Sequence, residues 1–377
     1  LSAPASFANA MAARGLRMQR TQSGKQYSFK KAWLEANQND EAVALLLKGR
    51  SYDKLENTFL RGHILGHHVK GRIHPEIHQL KGDDSGTIGR FSYSNPNLQN
   101  VPARDKEMAP IIRGLFEPEE DEEWVQHDEN QIEVRFEATY AVGPGADDFR
   151  EQYIREPRTD NHKYTAGMVG MDPDDPFVRK KVKNINFAKK YGAMKDQLAA
   201  LIGCSVAEAQ EFIALYESKM PFGKKTFEKC ERLARERGYI RTILGRYARF
   251  PYWEPATNRY ARKEFRKPAY FRTKAEAEYP GEQLVRAGTY TAMNKLFQLG
   301  AADKMKKGMV DIWDSGVCRA LGPPLITMHD ELDWSKPRTR EAREAMDEAR
   351  QLMRDSIKLR VPCIVDEKIG PNWGACT

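Results

Sequence analysis

The stretch LITMHDELDWS, from Leu325 to Ser335, joins an apolar run to two adjacent carboxylates. Its first four residues are apolar or β-branched and follow Gly322-Pro323-Pro324, which predicts a buried strand entered from a turn. The run then meets Asp330 and Glu331. An unpaired carboxylate inside a sheet is costly. We therefore expect a turn at His329-Asp330 that brings the Asp330 carboxylate out at a strand end.

A second acidic strand end is predicted in VQHDENQIEVRF, from Val125 to Phe136. As one extended strand it has two sides, which are Asp128, Asn130, Ile132 and Val134 on one and Glu129, Gln131, Glu133 and Arg135 on the other. Asp128 ends an apolar approach, as Asp330 does. Two carboxylates from distant segments suit a shared divalent cation, because Mg²⁺ prefers carboxylate oxygens. Local capping or salt bridging of each aspartate is the alternative interpretation.

A basic and aromatic stripe is predicted in RKKVKNINFAKKYG, from Arg179 to Gly192. Side chains four residues apart lie on one face of a helix, and here they are Arg179, Lys183, Phe187 and Tyr191. The stripe fits a nucleotide, with the phosphates on the cations and the base and sugar against the rings. A solvated basic helix is the alternative interpretation.

The segment GTIGRFSYSNPNLQNVPAR, from Gly86 to Arg104, is dense in small polar and amide side chains. This composition is typical of a plain surface loop. It is also suited to a track along a nucleic-acid backbone or groove. The segment alone leaves both interpretations open.

The 377-residue chain is basic, with a net charge of +8 and a pI near 9.0, and 40% of its residues are hydrophobic. These values fit a globular protein whose partner is a polyanion, nucleic acid before a membrane surface. No run of eighteen apolar residues occurs, so we expect no membrane span. Residues 1–34 lack Asp and Glu, which is typical of a transit peptide or of a surface that faces nucleic acid. We prefer the second interpretation.

The five cysteines are widely spread and form no CxxC pair. Their spacing argues against a zinc ribbon or a disulfide framework and suits a reducing compartment, so the expected location is the cytoplasm, with an organelle as the alternative. The run from His63 to His78 contains histidine pairs four residues apart, a spacing that zinc sites use. We interpret these histidines as structural.

The predicted elements alternate along the chain in blocks. Helix is predicted at 27–62, through most of 148–240, at 284–316 and at 338–358. Strand and loop are predicted at 63–104, and an irregular basic region at 245–285. The predicted strands come from distant segments with a helical block between them. This is an α+β arrangement in which the helical block is inserted into the sheet domain.

Together these segments resemble the family A DNA polymerases, the bacterial DNA polymerase I type and its phage members. Three motifs match the family's first palm motif, fingers helix and second palm motif, namely Asp128-x-x-Gln131-Ile132-Glu133-x-Arg135, Arg179-x-x-x-Lys183-x-x-x-Phe187-x-x-x-Tyr191-Gly192 and His329-Asp330-Glu331. The others are the primer-template loop GRFSYSNPNLQNVP, Asn294-x-x-x-Gln298-x-x-Ala301-Ala302-Asp303 and the terminal GPNWG. Six motifs in family order across residues 25–377 make the resemblance specific.

The resemblance implies a right-hand polymerase fold with an antiparallel-sheet palm, helical fingers inserted in the palm and a truncated helical thumb. The implied domains are the thumb region at 1–80, the palm at 81–140 and 286–377, and the fingers at 141–285, with a basic insertion at 251–283. Because the sequence has no FDxET-like proofreading motif and few thumb helices, we expect a fragment of a larger polymerase or a minimal version of one.

The resemblance also implies the site residues. Asp128 and Asp330 would hold two Mg²⁺ ions, with Mn²⁺ as a substitute, and Glu331 would support them. The residues implied to meet the incoming nucleotide are Arg179, Lys183, Phe187, Tyr191, His162, Gln131 and Glu133. Among them, Lys183 would also donate a proton to pyrophosphate, and Glu133 would be a steric gate against a ribose 2′-hydroxyl. The residues implied to meet primer-template DNA are Arg90, Asn97, Gln99, Asn100, Asn294, Gln298, His329 and Arg135.

The implied function is template-directed addition of dNTPs to a primer 3′-hydroxyl. We expect a monomer that acts on primer-template DNA. The expected location is the cytoplasm, that of the host cell if the chain is a phage protein. An upstream nuclease or helicase domain or other replisome proteins would be further partners. The alternatives are a single-subunit RNA polymerase relative, against which Glu133 argues, and a catalytically weak fragment that binds primer-template.

Two substitutions depart from the family pattern, and one insertion extends it. Glu129-Asn130 stands where the family usually has Tyr-Ser, and Tyr290 replaces an arginine. The insertion at 251–283 is longer than in the bacterial enzymes. Its charge indicates a DNA or partner contact, and a tolerated surface insertion is the alternative.

Overall fold

Helices form most of the protein. The computed structural model describes residues 4–21, 26–80, 89–103, 105–190, 195–261 and 263–376. Its α-helices are α1 (Pro4–Ala13), α2 (Lys31–Ala36), α3 (Glu41–Lys54), α4 (Met108–Arg113), α5 (Ile132–Tyr140), α6 (Ala146–Arg155), α7 (Asn161–Met168), α8 (Pro176–Lys190), α9 (Lys195–Ile202), α10 (Val206–Lys219), α11 (Pro221–Arg237), α12 (Arg272–Glu278), α13 (Ala292–Ser315), α14 (Cys318–Leu321) and α15 (Arg340–Asp355). A π-helix, Leu55–Leu65, continues α3.

The strands have two to four residues each, except for the longer β7, β14 and β15. They are β1 (Gln19–Arg20), β2 (Tyr27–Ser28), β3 (His68–Val69), β4 (Arg72–Ile73), β5 (Glu76–His78), β6 (Ser92–Ser94), β7 (Glu122–Glu129), β8 (Tyr239–Arg241), β9 (Tyr247–Arg249), β10 (Tyr252–Pro255), β11 (Tyr270–Phe271), β12 (Leu284–Arg286), β13 (Ile326–Met328), β14 (Glu331–Pro337) and β15 (Val365–Gly370). Strands β1 and β2, β3 and β4, β5 and β6, and β8 and β9 form separate two-stranded ribbons.

A four-stranded antiparallel sheet organises the fold, with the strand order β13-β14-β7-β15. Side chains alternate between its faces. On one face, Val125 and Trp334 pack against α13 and α15. On the other face, Trp124 stacks on the buried Trp373, which belongs to a short 3₁₀-helix after β15. Helices therefore cover the centre of one face, and the 3₁₀-helix covers part of the other.

The chain turns sharply where the first predicted strand was expected to continue. Strand β7 ends at Glu129, Gln131 adopts a left-handed backbone with φ of 51°, and α5 begins at Ile132. The prediction of one strand from Val125 to Phe136 is therefore wrong beyond Glu129. Ile132 and Phe136 lie four apart in the core between α5 and α13, a spacing that also fits a helix face.

The helical block predicted at 148–240 corresponds to α6–α11. Ser205 and Glu208 form a reciprocal capping box at the start of α10, which satisfies backbone donors that a helix start leaves free. Pro221 opens α11, where a proline costs no hydrogen bond.

In the described residues no single helix is long and apolar enough to cross a membrane. The bent pair α9 and α10, at 106°, passes that test by length and composition together.

Helix α13 connects the helical block to the sheet. It begins at Ala292 rather than near residue 284, because β12 and a 3₁₀-turn, Thr289–Thr291, come first. Its N-terminal half is buried on nearly all sides. Gly300 allows the close approach to α5, since a Cβ there would lie 2.7 Å from a ring carbon of Phe136.

Candidate active site

The hairpin β13–β14 presents Asp330 at its tip. Met328 pairs with Glu331, which leaves His329 and Asp330 as a two-residue turn. His329 has a φ of 62°, and two-residue hairpin turns require such left-handed backbone. The turn predicted at His329-Asp330 is therefore confirmed, and Asp330 lies at a strand end.

Asp128 lies beside this tip on the neighbouring strand. In the register of β7 and β14, Asp128 is opposite Glu331, and the backbone N–H of Glu129 donates to the Asp330 carbonyl at 3.1 Å. On its other side, Asp128 is opposite Asp366 of β15. Two aspartates from segments about two hundred residues apart thus share one end of the sheet.

The carboxylates at this end repel one another. Burial, together with the charges of Asp330, Glu331 and Asp366, raises the pKa of Asp128 to about 7, while Lys368 opposes the rise. Burial also raises the pKa of Asp330 to about 6, while the nearby Arg90 guanidinium opposes the rise. A local excess of negative charge is therefore held at half-buried positions, where a cation would relieve it.

The donor set fits a hard divalent cation. Among the residues that the structure describes, no group of three or more His, Cys, Asp or Glu side chains forms a closed metal cage. Mg²⁺ is commonly bound by one or two carboxylates together with water and substrate phosphates. An open pair such as Asp128 and Asp330 suits that mode and leaves positions for phosphate oxygens. The histidine run has other contacts, because His63 bonds the Thr58 carbonyl and His78 the Ser94 hydroxyl.

Glu331 and the terminal GPNWG motif are in direct contact. The indole Nε1 of Trp373 donates to Glu331 Oε1 at 3.2 Å, and the Arg113 guanidinium lies 4.1 Å from the centre of that ring. Gly374 follows in close contact with α4, because a Cβ there would lie 2.7 Å from the Gly114 backbone nitrogen. The motif therefore fixes the residue next to Asp330.

An ion pair joins two predicted ligand sets. Arg90, predicted to contact DNA, donates to Glu133, predicted to face the nucleotide sugar, at 2.5 Å. Both side chains are about one-quarter exposed. Glu133 lies in the first turn of α5, not on a strand. The ion pair closes one side of the space next to Asp330.

The predicted triphosphate ligands lie on the facing helices α7 and α8. Arg179 forms two hydrogen bonds with Asp160 Oδ2, at 2.8 Å and 2.5 Å. Asp160 also caps α7, because its side chain accepts from the backbone N–H groups of His162 and Lys163. The same carboxylate therefore positions both a cation and the helix that carries His162.

Other parts of the stripe are described less fully. His162 is half-buried, and its Nδ1 lies 3.2 Å from the amide of Asn186, which is itself buried on α8. Lys183 is also half-buried on α8. Phe187 continues α8, but its side chain lies outside the described residues, as does the whole of Tyr191.

The side-chain amides predicted to contact DNA differ in their exposure and in their hydrogen bonds within the protein. Asn97 accepts from the backbone N–H of Gln99, whose own amide donates to the Phe91 carbonyl at 3.0 Å, so both side chains shape the loop. Asn100 is exposed. Asn294 and Gln298 lie one turn apart on α13 and are 9% and 8% exposed.

Two motif residues have internal partners. The guanidinium of Arg135 is fully buried and donates to the carbonyls of Asn130, Pro157 and Pro362. A direct DNA contact, as predicted for Arg135, does not fit this placement. The amide of Gln131 donates to the Thr159 carbonyl and accepts from the Asn161 backbone N–H. It connects α5 to α7 instead of pointing to an open nucleotide position.

The structure adds residues that the sequence did not single out. Lys304 of α13 is fully buried and donates to Glu129 Oε1 at 2.7 Å, to the Met353 carbonyl at 2.6 Å and to the Arg354 carbonyl at 3.0 Å. The departure Glu129 in place of a tyrosine was the available signal, since a buried carboxylate needs a cation. A pocket of about 650 Å³ between α13 and α15 is lined by none of the predicted site residues.

Comparison with solved structures defines the class of protein. The polymerase domain of Pol1 from M. smegmatis, solved with DNA primer-template and dNTP, matches this chain with a TM-score of 0.76 and 24% identity, over 100% of this chain and 61% of that one. The fold is therefore the α+β right-hand polymerase fold, in which the four-stranded antiparallel sheet is the palm and the helical fingers are inserted in it.

The sequence comparisons name the family. A family model described as DNA polymerase family A matches residues 3–375, and the chain belongs to that family. "DNA polymerase DpoZ" of Acinetobacter phage SH-Ab 15497 is 28% identical over 90% of this chain and 53% of the phage protein. "DNA polymerase I, thermostable" of Thermus filiformis is 30% identical over 88% of this chain and 36% of the relative. The chain thus spans about half, or less, of the length of such relatives.

Proposed function

We propose that this chain is a template-directed DNA polymerase that adds dNTPs to a primer 3′-hydroxyl by two-metal-ion phosphoryl transfer. The observation that carries the proposal is the convergence of Asp128 and Asp330 at one end of the palm sheet, with their pKa values raised by burial. Bound Mg²⁺ would promote loss of the 3′-hydroxyl proton and neutralise charge on the phosphates. The two carboxylates would hold the ions, and Mn²⁺ is the expected substitute.

The remaining groups have proposed roles that follow from their positions. Arg179 and Lys183 would receive the triphosphate, and Lys183 would donate a proton to pyrophosphate. Arg90 and Glu133, as an ion pair beside Asp330, would narrow the sugar-binding space against a ribose 2′-hydroxyl. Asn294 and Gln298 would follow the minor groove of primer-template DNA.

The proposed domain division follows the predicted boundaries. Residues 1–80 form the thumb region, 81–140 and 286–377 the palm, and 141–285 the fingers. We also propose cytoplasmic action as a monomer, and no removal of a mismatched primer end by this chain, because it has no FDxET-like motif. An excision assay on a mismatched primer tests the last point.

Primer extension tests the main proposal. The full chain is incubated with a labelled primer-template, Mg²⁺ and either dNTPs or NTPs, beside Asp128→Ala and Asp330→Ala. We expect extension with dNTPs only, and a loss of 10³-fold or more in each variant (on the order of 4 kcal/mol). Arg155→Ala is a surface control, because its pair with Glu151 is more than half exposed on both sides. Extension that persists in either aspartate variant would contradict the proposal.

A further inference from the structure

The insertion at residues 251–283 is a small ordered fold. Its sheet has the order β11-β10-β12, and Ala275 of α12 is fully buried. Trp253 lies between two guanidinium groups, those of Arg272 at 5.0 Å and Arg286 at 4.7 Å from its ring centre. A tolerated irregular loop would not need these contacts, so the insertion is a built part of the molecule.

Asn258 holds the tip of the insertion closed. This side chain is 3% exposed and donates to Glu254 Oε2 at 2.7 Å and to the Lys267 carbonyl at 2.8 Å. It also accepts from the Lys267 backbone N–H at 2.9 Å. The chain between these residues is therefore fixed at its base. We call residues 259–261 and 264–266 the insertion tip.

The insertion tip exposes two aromatic rings. Tyr260 is 87% exposed and Phe265 is 73% exposed. Phe271 at the edge of the sheet is 62% exposed, but its ring packs beside that of Tyr252 at a centroid distance of 4.9 Å. Exposed rings on a fixed loop indicate a binding surface, because burying them within the fold would be more favourable. The rings are available to an outside partner.

The charge of the same segment identifies the chemistry of that partner. From Arg259 to Lys274 the sequence has seven Lys and Arg residues and one acid, Glu264. Two of these cations are paired with acids beyond the segment, Lys267 with Glu282 and Arg272 with Glu276. Among the described residues of the insertion tip, Arg259 and Arg266 form no ion pair, and the Nε of Arg266 donates to the Ala261 carbonyl at 3.3 Å. Their charge is therefore open to an anion.

We propose that the insertion tip binds the unpaired part of the template strand. Exposed rings among arginines fit single-stranded nucleic acid, because rings stack on unpaired bases while cations neutralise phosphates. A duplex would offer phosphates but no free base faces. The chain also runs from the end of β12 through seven residues to Asn294 on α13, so the insertion is continuous in sequence with the proposed primer-template surface. This proposal rests on the proposed function.

Binding measurements with the full chain test this inference. Fluorescence anisotropy is recorded with a single-stranded oligonucleotide, a blunt duplex and a primer-template with a long 5′ overhang. The double variant Tyr260→Ala/Phe265→Ala should bind the single strand about 10-fold more weakly or worse and the blunt duplex with unchanged affinity. Arg259→Ala/Arg266→Ala should lower the salt dependence of single-strand binding, by roughly 0.7 in slope for each lost phosphate contact.

Two further variants make the test specific. Trp313→Ala removes an equally exposed ring, 68% exposed, from the end of α13 and should leave binding unchanged. Asn258→Ala keeps both rings but removes the hydrogen bonds to Glu254 and Lys267 that fix the base of the insertion tip. It should therefore weaken single-strand binding as well. Unchanged single-strand binding in Tyr260→Ala/Phe265→Ala overturns the inference and assigns the surface to a protein partner. The same variant should still extend a primer on a template with a short overhang, because only long overhangs need the insertion tip. This extension assay therefore tests the proposed function separately from the inference.

Discussion

Lys304→Met is predicted to destabilise the palm more than any surface substitution. Lys304 is fully buried, and Glu129 beside it is 2% exposed. The ammonium group also donates to the Met353 and Arg354 carbonyls and to the Ser356 hydroxyl. It therefore caps the C-terminal end of α15, where a cation is favoured by the helix dipole, and pairs with the strand that carries Asp128.

The magnitude follows from what remains after the change. Methionine fills the apolar stem volume but leaves the Glu129 carboxylate buried without its cation, and removing one partner of a buried pair costs about 3–5 kcal/mol. Burial raises the pKa of Glu129 to about 7 although the Lys304 charge opposes the rise. Loss of Lys304 removes that opposition and raises the pKa of Glu129 further, so the folded variant holds a proton that the unfolded chain releases. Taking up this proton costs more at pH 8 than at pH 6, so the expected loss of unfolding free energy lies in that range at pH 8. At pH 6 protonation of Glu129 should make it smaller.

A second substitution tests the cause. Lys304→Met/Glu129→Gln replaces the unpaired charge by a neutral amide, and should recover about 1–3 kcal/mol of the loss. Lys225→Met is the matched control, because its pair with Glu228 is about half exposed on both sides and surface pairs contribute little. Urea denaturation at pH 8 measures all three.

Primer extension adds a functional readout. The N–H of Glu129 donates to the Asp330 carbonyl, so a displaced Glu129 should also raise the Mg²⁺ concentration needed for half-maximal rate in the folded variant. A loss of less than 1 kcal/mol in Lys304→Met, or no recovery in the double variant, would refute the argument that this pair stabilises the palm.

Other expected outcomes concern the site and its supports. Because burial and mutual repulsion raise the pKa of Asp128 to about 7 and burial that of Asp330 to about 6, the metal-free folded chain retains protons that the unfolded chain loses near pH 4. Its stability should fall as pH rises from about 4 to 7, and thermal melting with and without Mg²⁺ should show Mg²⁺ stabilisation growing over that range. Gly374→Ala should lower the melting temperature, because its Cβ would meet backbone at 2.7 Å. Asp160→Ala should cost about 1–2 kcal/mol as a lost helix cap and raise the KM for dNTPs in steady-state kinetics, because Arg179 loses its partner.

The β13–β14 hairpin was predictable because the rules that form it are local. Gly322-Pro323-Pro324 starts the strand, an apolar run extends it, and a buried acid forces a turn, so the position of Asp330 followed from the sequence. The pattern alone left the convergence with Asp128 open, and the resemblance favoured it. The register of β7 and β14 places both aspartates at one end of the sheet.

The path after Glu129 was not predictable from the same rules. Ile132, Val134 and Phe136 alternate as in a strand, yet they also fit a helix face, and the left-handed backbone of Gln131 begins α5. Arg135 was assigned to DNA through the family motif that it matches. Its burial depends on carbonyls of Pro157 and Pro362, which lie too far along the chain for a local pattern to reveal.

The insertion escaped prediction for a different reason. Its strands β10, β11 and β12 have two to four residues each, too few for an alternating pattern to stand out. What holds it together is a buried amide, Asn258, and rings under cations, and these contacts have no periodic spacing. The composition gave its charge and hence the class of partner, while only the structure separates the exposed rings from those that pack.

The two faces of β7 explain how charge can be tolerated at the centre of the palm. Alternation sends His127 and Glu129 to the helix-covered face, where each has a partner, Glu367 at 2.9 Å and Lys304 at 2.7 Å. The same alternation sends Asp128 to the opposite face, where acids surround it. The paired charges contribute rigidity on one side of the strand, and that rigidity holds the repelling carboxylates on the other side in place. Replacing Glu129 or Lys304 should therefore affect the site without touching its ligands, whereas replacing Asp128 should leave the covered face intact.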